Sequence, residues 1–474
     1  MEDRTHQTMH QVPAWSELKL IKGIAVSKSG MKQRIAAVVC TLLVGLLYSM
    51  NAMAIPKVKS WTTANGIKVL YVHAPEIPIV DIQILFDAGS ARDQKKKGLA
   101  LLTNRMMSMG AGKLDATGIA EQFESIGAKF GRGALRDSAW LSIRTLSDEQ
   151  YLGKAVETLS LLLNKPRFRK ADLAREKKRI LSALKQQQQS PAKIAKRIFY
   201  REVFRGHPYA NMPIGTEAGV KSIRQKDLKQ FYKKYYVGRN MMVAIVGAID
   251  QTRARQLVER MAGQLIPGQP APALPAVKAL SKGKMVYVAH PSSQAHIYIG
   301  QPGSFRGDPD YFALYLANHP FGGSGLVSRL ADEVREKRGL AYSVYSYFSP
   351  MRRKGVFMIG MQTKTANTAK AIALLRKLLK RYHEKGMTKK EFKNSVSNIT
   401  GGFALRIDTN KKIVQYIGMI GFYGLPSTYL TDFNQTIRSL DRKQVNVAFR
   451  RRVNPEAMIT VVVGGSKAPV IPAP

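Results

Sequence analysis

The chain has 474 residues, 45% of them apolar and 23% charged, a globular balance that excludes a disordered or fibrous protein. Its length exceeds one ordinary core and suits two domains of about 200 residues each. Lys and Arg number 75 against 32 Asp and Glu, a net charge of +43, so the surface should draw polyanions, acidic peptides or anionic lipid headgroups in a salt-dependent way. The basic residues run in short stretches such as Lys95-Lys96-Lys97 and Arg450-Arg451-Arg452. Without a zinc finger, an RNA-recognition signature or a single basic helix, nothing points to specific nucleic-acid binding.

Residues 1–30 are polar and read as an upstream extension, with Met31 an alternative start to Met1. Met31-Lys32-Gln33-Arg34 is a short basic region, Ile35 to Tyr48 an apolar run, and Ala52-Met53-Ala54 a small-x-small site. That order is a secretory signal peptide over 31–54, cleaved after Ala54 to leave Ile55 first in a periplasmic mature chain. The run is short for a bilayer span; an uncleaved anchor is the alternative. The single cysteine, Cys40, lies in this run. The mature chain would then lack any thiol, which excludes disulfides, cysteine catalysis and Cys-ligated zinc.

In the first half, alternation and β-branched content predict strands at Lys68–His73 and Val80–Asp87, then a helix from Gly98 to Met107. A helix over Gly118–Ile126 carries Ile119, Phe123 and Ile126 on one face, with Gly127 placed to end it. A strand near Trp140–Arg144 precedes helices at Glu149–Leu163 and Ala171–Gln187. His207, ahead of Pro208, reads as structural. The Pro- and Ala-rich stretch from Ile266 to Val277 reads as a stiff linker. The domain boundaries expected are a lobe over 55–265, the linker over 266–279, a second lobe over 280–466 and a tail over 467–474.

The two halves repeat one another. A helix and an apolar strand ending in glycine run from Ile223 to Gly247 and again from Leu440 to Gly464, offset by 217 residues at both ends. Trp140-Leu141-Ser142-Ile143 with Ala155, Leu159 and Leu163 matches Val356-Phe357-Met358-Ile359 with Ala371, Leu375 and Leu379, offset by 216. Two independent blocks in agreement indicate an internal duplication. The expected fold class is α+β: two homologous lobes, each a mostly antiparallel sheet with helices on one face, enclosing a cleft.

Certain motifs carry a family resemblance. His207-Pro208-Tyr209, Pro213-Ile214-Gly215-Thr216, Ser222-Ile223 and Tyr235-Tyr236 lie in the first half. Gly322-Gly323-Ser324-Gly325, Ser328-Arg329-Leu330 and the run from Arg335 through Gly339-Leu340-Ala341-Tyr342 to Val344 lie in the second. Together they resemble the pitrilysin/insulinase zinc metallopeptidases, in particular the short bacterial branch similar to mitochondrial processing peptidase. The resemblance implies a peptide-binding chamber closed by a pair of chains. It also implies zinc held by an inverted H-x-x-E-H helix and by a Glu from a later helix.

At those positions this chain has Leu101 and Arg105 for the two histidines, Asn104 for the general base and Ala183, seven residues after Glu176, for the later Glu. Leucine and alanine offer no lone pair, arginine is a permanent cation, and asparagine accepts no proton at useful pH. No metal and no catalytic residue of its own are expected in this chain. Arg335 and Tyr342 match the family's transition-state pair, which binds the substrate carbonyl and its oxyanion. A helix over Ser328–Lys337 ended by Gly339, then a strand with Tyr342, Val344 and Ser346 on one face, would carry them. The Gly322–Gly325 stretch is either a substrate-contacting loop or a simple turn.

The reading that follows is a non-catalytic, substrate-binding subunit of an exported heterodimeric zinc peptidase. The partner would be a homologous H-x-x-E-H-bearing subunit holding zinc, and the ligand a peptide, acidic ones being favoured by charge. The alternative is an inactive scaffold or peptide-binding protein on the same shell. A basic protein on an anionic membrane surface is a third reading.

Overall fold

The computed structural model describes residues 55–468, so the extension at 1–30 and the leader at 31–54 lie outside the described residues, as does most of the tail. Eleven strands build two sheets. The first sheet contains β1 (Lys59–Thr62), β2 (Lys68–His73), β3 (Ile79–Phe86), β4 (Lys129–Ala134), β5 (Ala139–Leu146) and β6 (Met241–Gly247), in the order β1-β2-β6-β3-β5-β4. The second contains β7 (Lys284–Val288), β8 (Gln294–Pro302), β9 (Ala341–Ser349), β10 (Val356–Lys364) and β11 (Ile459–Val463), in the order β9-β10-β8-β11-β7.

The second order is the first one repeated without β1. The register repeats with it: β2 runs parallel to β6 as β7 does to β11, and every other pair in both sheets is antiparallel. Val80 faces Gly247 and His296 faces Val463, so each member of that pair is displaced by 216 residues.

Alternation along each strand divides two buried faces. On β6, Met241, Val243 and Ile245 turn towards helices of their own lobe, including Leu99–Met107, Glu149–Asn164 and Gln251–Ala262. Met242, Ala244 and Val246 turn the other way and meet Ile413, Val414, Ile417 and Ile420 of the helix Asn410–Tyr423, which comes from the second half. The second sheet receives the reciprocal loan: the helix Pro191–Val203 lays Ala195, Ile198 and Phe199 on Val356, Met358, Ile459, Val461 and Val463. Covering both faces explains why β6 and β11 are apolar runs without polar alternation.

The lent helix lies close because it is small where it touches. A Cβ on Gly421 would overlap the Met242 side chain and stand 3.1 Å from Leu70 Cδ1; one on Gly418 would stand 2.6 Å from Gln83 Oε1. The Pro/Ala-rich segment after Leu265 runs without helix or strand until Lys284 and is bound to both halves. Arg92 Nη1 donates to Pro272 O at 2.6 Å, Arg353 Nε to Leu274 O at 2.7 Å and His207 Nε2 to Pro275 O at 3.1 Å. His207 also accepts the Tyr209 amide on Nδ1, which gives both ring nitrogens structural partners.

Three local expectations are corrected. The Gly118–Ile126 helix starts earlier, at Ala116, because Asp115 caps it by accepting from the Gly118 amide, and it ends at Glu124. The Ser328–Lys337 helix is present over 329–336 but is wider than expected, π-helical over Ala331–Glu336, where the Lys337 amide reaches back to Asp332 O at 2.9 Å. Tyr342 does not share a face with Val344 and Ser346. Ala341 pairs with Thr363 and Ser343 with Gln362, so Tyr342 is the extra residue of a β-bulge and points outward while Val344 and Ser346 are buried.

Candidate functional site

The helix Leu99–Met107 begins at Gly98, whose φ of +104° and close approach to Val220 and Ile214 suit glycine alone. Asp93 anchors its first turn by accepting the Gly98 and Ala100 amides, each at 2.7 Å. Leu101, Asn104 and Arg105 then fall on one face by i, i+3, i+4 spacing. Asn104 is fully buried: Nδ2 donates to Trp140 O at 3.2 Å, while Oδ1 has no partner among the described residues. Burial raises the neighbouring Tyr236 phenol, with the Asn104 amide acting in the opposite sense.

The helix Lys170–Gln187 packs beside it and places Glu176, with 1% of its side chain exposed, against the same face. Arg105 Nη1 stands 3.3 Å from Glu176 Oε2, and Arg179 Nη1 stands 2.5 Å from Oε1. Ala183, two turns further on, is half-buried and brings only a methyl group. The structure thus joins Arg105 and Arg179 to the two oxygens of Glu176, with Leu101 and Asn104 on the Arg105 helix and Ala183 two turns along the Glu176 helix.

A third guanidinium, Arg132, enters from β4. Burial lowers its affinity for its proton; Glu176 opposes that, and repulsion by Arg105 and Arg179 adds to it. Its involvement was missed from the sequence, although Gly131-Arg132-Gly133 inside a strand is a signal of close approach. Arg179 was missed as well, since one arginine in a basic helix stands out only when its carboxylate partner is known.

This donor set does not fit zinc. Leu101 and Ala183 supply no lone pair and Arg105 supplies a positive charge. Among the described residues, no group of three or more His, Cys, Asp or Glu side chains is placed to hold a metal ion.

The second half presents its pair differently. Arg335 leaves the wide turn with 39% of its side chain exposed and, among the described residues, the exposed Glu336 as its ion-pair partner at 3.4 Å. Gly339, at φ +57°, closes that turn by donating its amide to Arg335 O at 2.9 Å. Tyr342 follows on the bulge, 83% exposed. No hydrogen bond joins Arg335 to Tyr342 among the described residues; both face solvent from one short segment. Leu326 and Val327, 63% and 83% exposed in the turn Gly325–Val327, add apolar surface to the same half.

Comparison with known proteins places this arrangement. The profile of the insulinase family, peptidase family M16, matches residues 68–217, and that of the peptidase M16 inactive domain matches residues 222–399. A Helicobacter pylori protein called non-peptidase homolog YmxG is 27% identical over 437 residues, covering 90% of this chain and 98% of its own length. The crystal structure of a peptidase M16 inactive domain from Pseudomonas fluorescens is 35% identical, with a TM-score of 0.84 over 87% of this chain and 99% of that one. The periplasmic protease PqqL of Escherichia coli shares the fold, at 15% identity and a TM-score of 0.72 over 86% of this chain and 47% of that chain. With the profiles covering both lobes and the Pseudomonas relative spanned almost end to end, this chain belongs to the M16 insulinase family of peptidases.

Proposed function

We propose that this chain is the non-catalytic, substrate-binding subunit of an exported two-chain zinc peptidase. In this reading a homologous partner carries the H-x-x-E-H helix, the zinc and the general base. This chain contributes Arg335 and Tyr342, a fixed cation and a phenolic donor held ready for the substrate carbonyl and its developing oxyanion. The observation that carries the reading is the division within one chain. The first-lobe face offers guanidinium and methyl groups where ligands would be needed, whereas Arg335, paired with the exposed Glu336, and Tyr342 reach solvent on the second lobe. The name of the Helicobacter relative, a non-peptidase homolog, agrees with loss of independent activity. Export rests on the leader-like sequence before Ile55.

The test begins with a tagged chain purified gently from its native cell envelope. A stoichiometric companion of similar size bearing H-x-x-E-H is expected. In that complex Arg335→Ala or Tyr342→Phe should lower turnover about 100-fold or more without disturbing assembly. Recovery of the chain only as itself, or unchanged turnover in both variants, would replace this reading with a catalytically inactive scaffold or peptide-binding protein.

A further inference from the structure

The guanidinium cluster carries more charge than its own carboxylate neutralises. Glu176 has given one oxygen to Arg105 and the other to Arg179. The strand Lys129–Ala134, which carries Arg132, packs on the helix that carries Arg105, and that helix packs on the one that carries Glu176 and Arg179; Arg132 thus lies within the field of all three, yet makes no hydrogen bond or ion pair among the described residues. Three permanent cations against one anion leave two positive charges on a surface that is partly withdrawn from water.

Position favours an incoming ligand. β4 is the edge of the first sheet, paired only with β5 among the described residues. Arg132 sits on its helix-covered face, between Phe130 and Ala134 in the alternation, whereas Gly131 and Gly133 sit on the opposite face, against Trp140. A Cβ on Gly133 would stand 2.9 Å from the indole Nε1, so the edge strand is held flat against that ring. Arg105, with 38% of its side chain exposed, and Arg179, with 65%, remain open to solvent beside it. Planar guanidinium forks carried on elements that pack together match the two oxygens of a carboxylate better than they match any neutral group.

We propose that Arg105, Arg132 and Arg179 form a receptor for a peptide carboxylate, either an acidic side chain or the C-terminal group. The proposal rests on the reading that this chain binds peptides, but it requires no zinc-bearing partner. Glu176 sets the affinity: it orients two of the forks and, by its own charge, weakens their hold on a second carboxylate.

The experiment is fluorescence anisotropy with the full mature chain and three forms of a short labelled peptide at low salt. One form bears a single glutamate and a free C-terminus, the second is amidated at the C-terminus, and the third has glutamine in place of the glutamate. One of the two altered peptides should bind about tenfold more weakly, which identifies the carboxylate that is read. Arg132→Gln should abolish that difference, and Glu176→Gln should tighten binding of the unaltered peptide. Arg132→Lys, which keeps the charge but loses the fork, should also lessen the difference, an effect that a change of net charge alone does not produce. If Arg132→Gln fails to fold, Glu176→Gln and Arg132→Lys carry the test. Equal binding of all three peptides, or discrimination that survives Arg132→Gln, overturns the receptor. The subunit reading fails separately: a chain that discriminates these peptides but never co-purifies with a zinc-bearing companion keeps the receptor and loses the subunit. An active complex without discrimination does the reverse.

Discussion

The backbone amide of Arg352, in the second lobe, donates to Asp137 Oδ2, in the first, at 2.8 Å. Tyr423 of the lent helix donates its hydroxyl to the same oxygen at 3.0 Å, and Tyr209 donates to Oδ1. Arg353 donates its amide to the Tyr209 hydroxyl at 3.1 Å, extending the network. One buried carboxylate, 3% exposed, therefore ties both lobes and the lent helix. Asp137→Ala would leave the Tyr209 and Tyr423 hydroxyl protons and the Arg352 amide without their acceptor and should cost about 3 kcal/mol of stability, read by urea unfolding. A change under about 0.5 kcal/mol would mean that the lobes hold together by apolar packing alone.

Arg105 stabilises the fold through its ion pair with buried Glu176. Removing it leaves buried Glu176 with Arg179 as its only ion-pair partner among the described residues, and Arg105→Ala should destabilise by about 1–3 kcal/mol. Arg105→His restores one imidazole but leaves Leu101 and Ala183 in place. Metal analysis of that variant should find no stoichiometric zinc.

Glu202 predicts the acid side of the stability profile. Burial would raise its carboxyl, but hydrogen bonds and charge from Lys284 and Arg205 hold it down to about 2. The Lys284 ammonium, 2.8 Å away, belongs to β7, so this ion pair pins the lent Pro191–Val203 helix to the second sheet. A depressed folded value means the stabilisation is present above the ordinary glutamate range and disappears as pH falls towards 2. Glu202→Gln should therefore lower Tm at pH 6 and make the decline between pH 5 and 2 shallower, measured by calorimetry across that range.

The reciprocal helix loan is sensitive to volume. Gly421→Leu would drive a side chain into Met242 and Leu70 and should cost about 1–3 kcal/mol, while Phe199→Ala, in the helix lent to the other sheet, should cost about 3–5 kcal/mol. Both are read by chemical denaturation. A single cooperative transition that shifts in both variants would show the lobes unfolding as one unit.

Tyr342→Phe separates function from folding. With 83% of the residue exposed, the hydroxyl's loss should change stability by less than about 0.5 kcal/mol by thermal unfolding, whatever it does to activity in a complex.

Much of the fold was legible because periodicity reports burial. Lys68–His73 is a strand over those six residues, and the predicted Gly98–Met107 helix is observed as Leu99–Met107, since each has a clear apolar pattern with a glycine or turn at its limit. The bulge at Tyr342 was not legible, because a single unpaired residue leaves the strand composition unchanged and appears only in the pairing with β10. The same limit hid Arg132, whose relation to Glu176 depends on two segments more than forty residues apart packing side by side.

The sequence by itself determined the duplicated α+β design, through equal offsets between matching apolar blocks, and determined that Leu101, Arg105 and Ala183 bring no metal ligand, because side-chain chemistry does not depend on the fold. Only the tertiary structure decided what those positions do instead. It set Arg105 and Arg179 on the two oxygens of Glu176, exchanged a helix between the sheets and turned Tyr342 outward. These are contacts between segments distant in the chain, and local propensity carries no information about which distant partner a surface will meet.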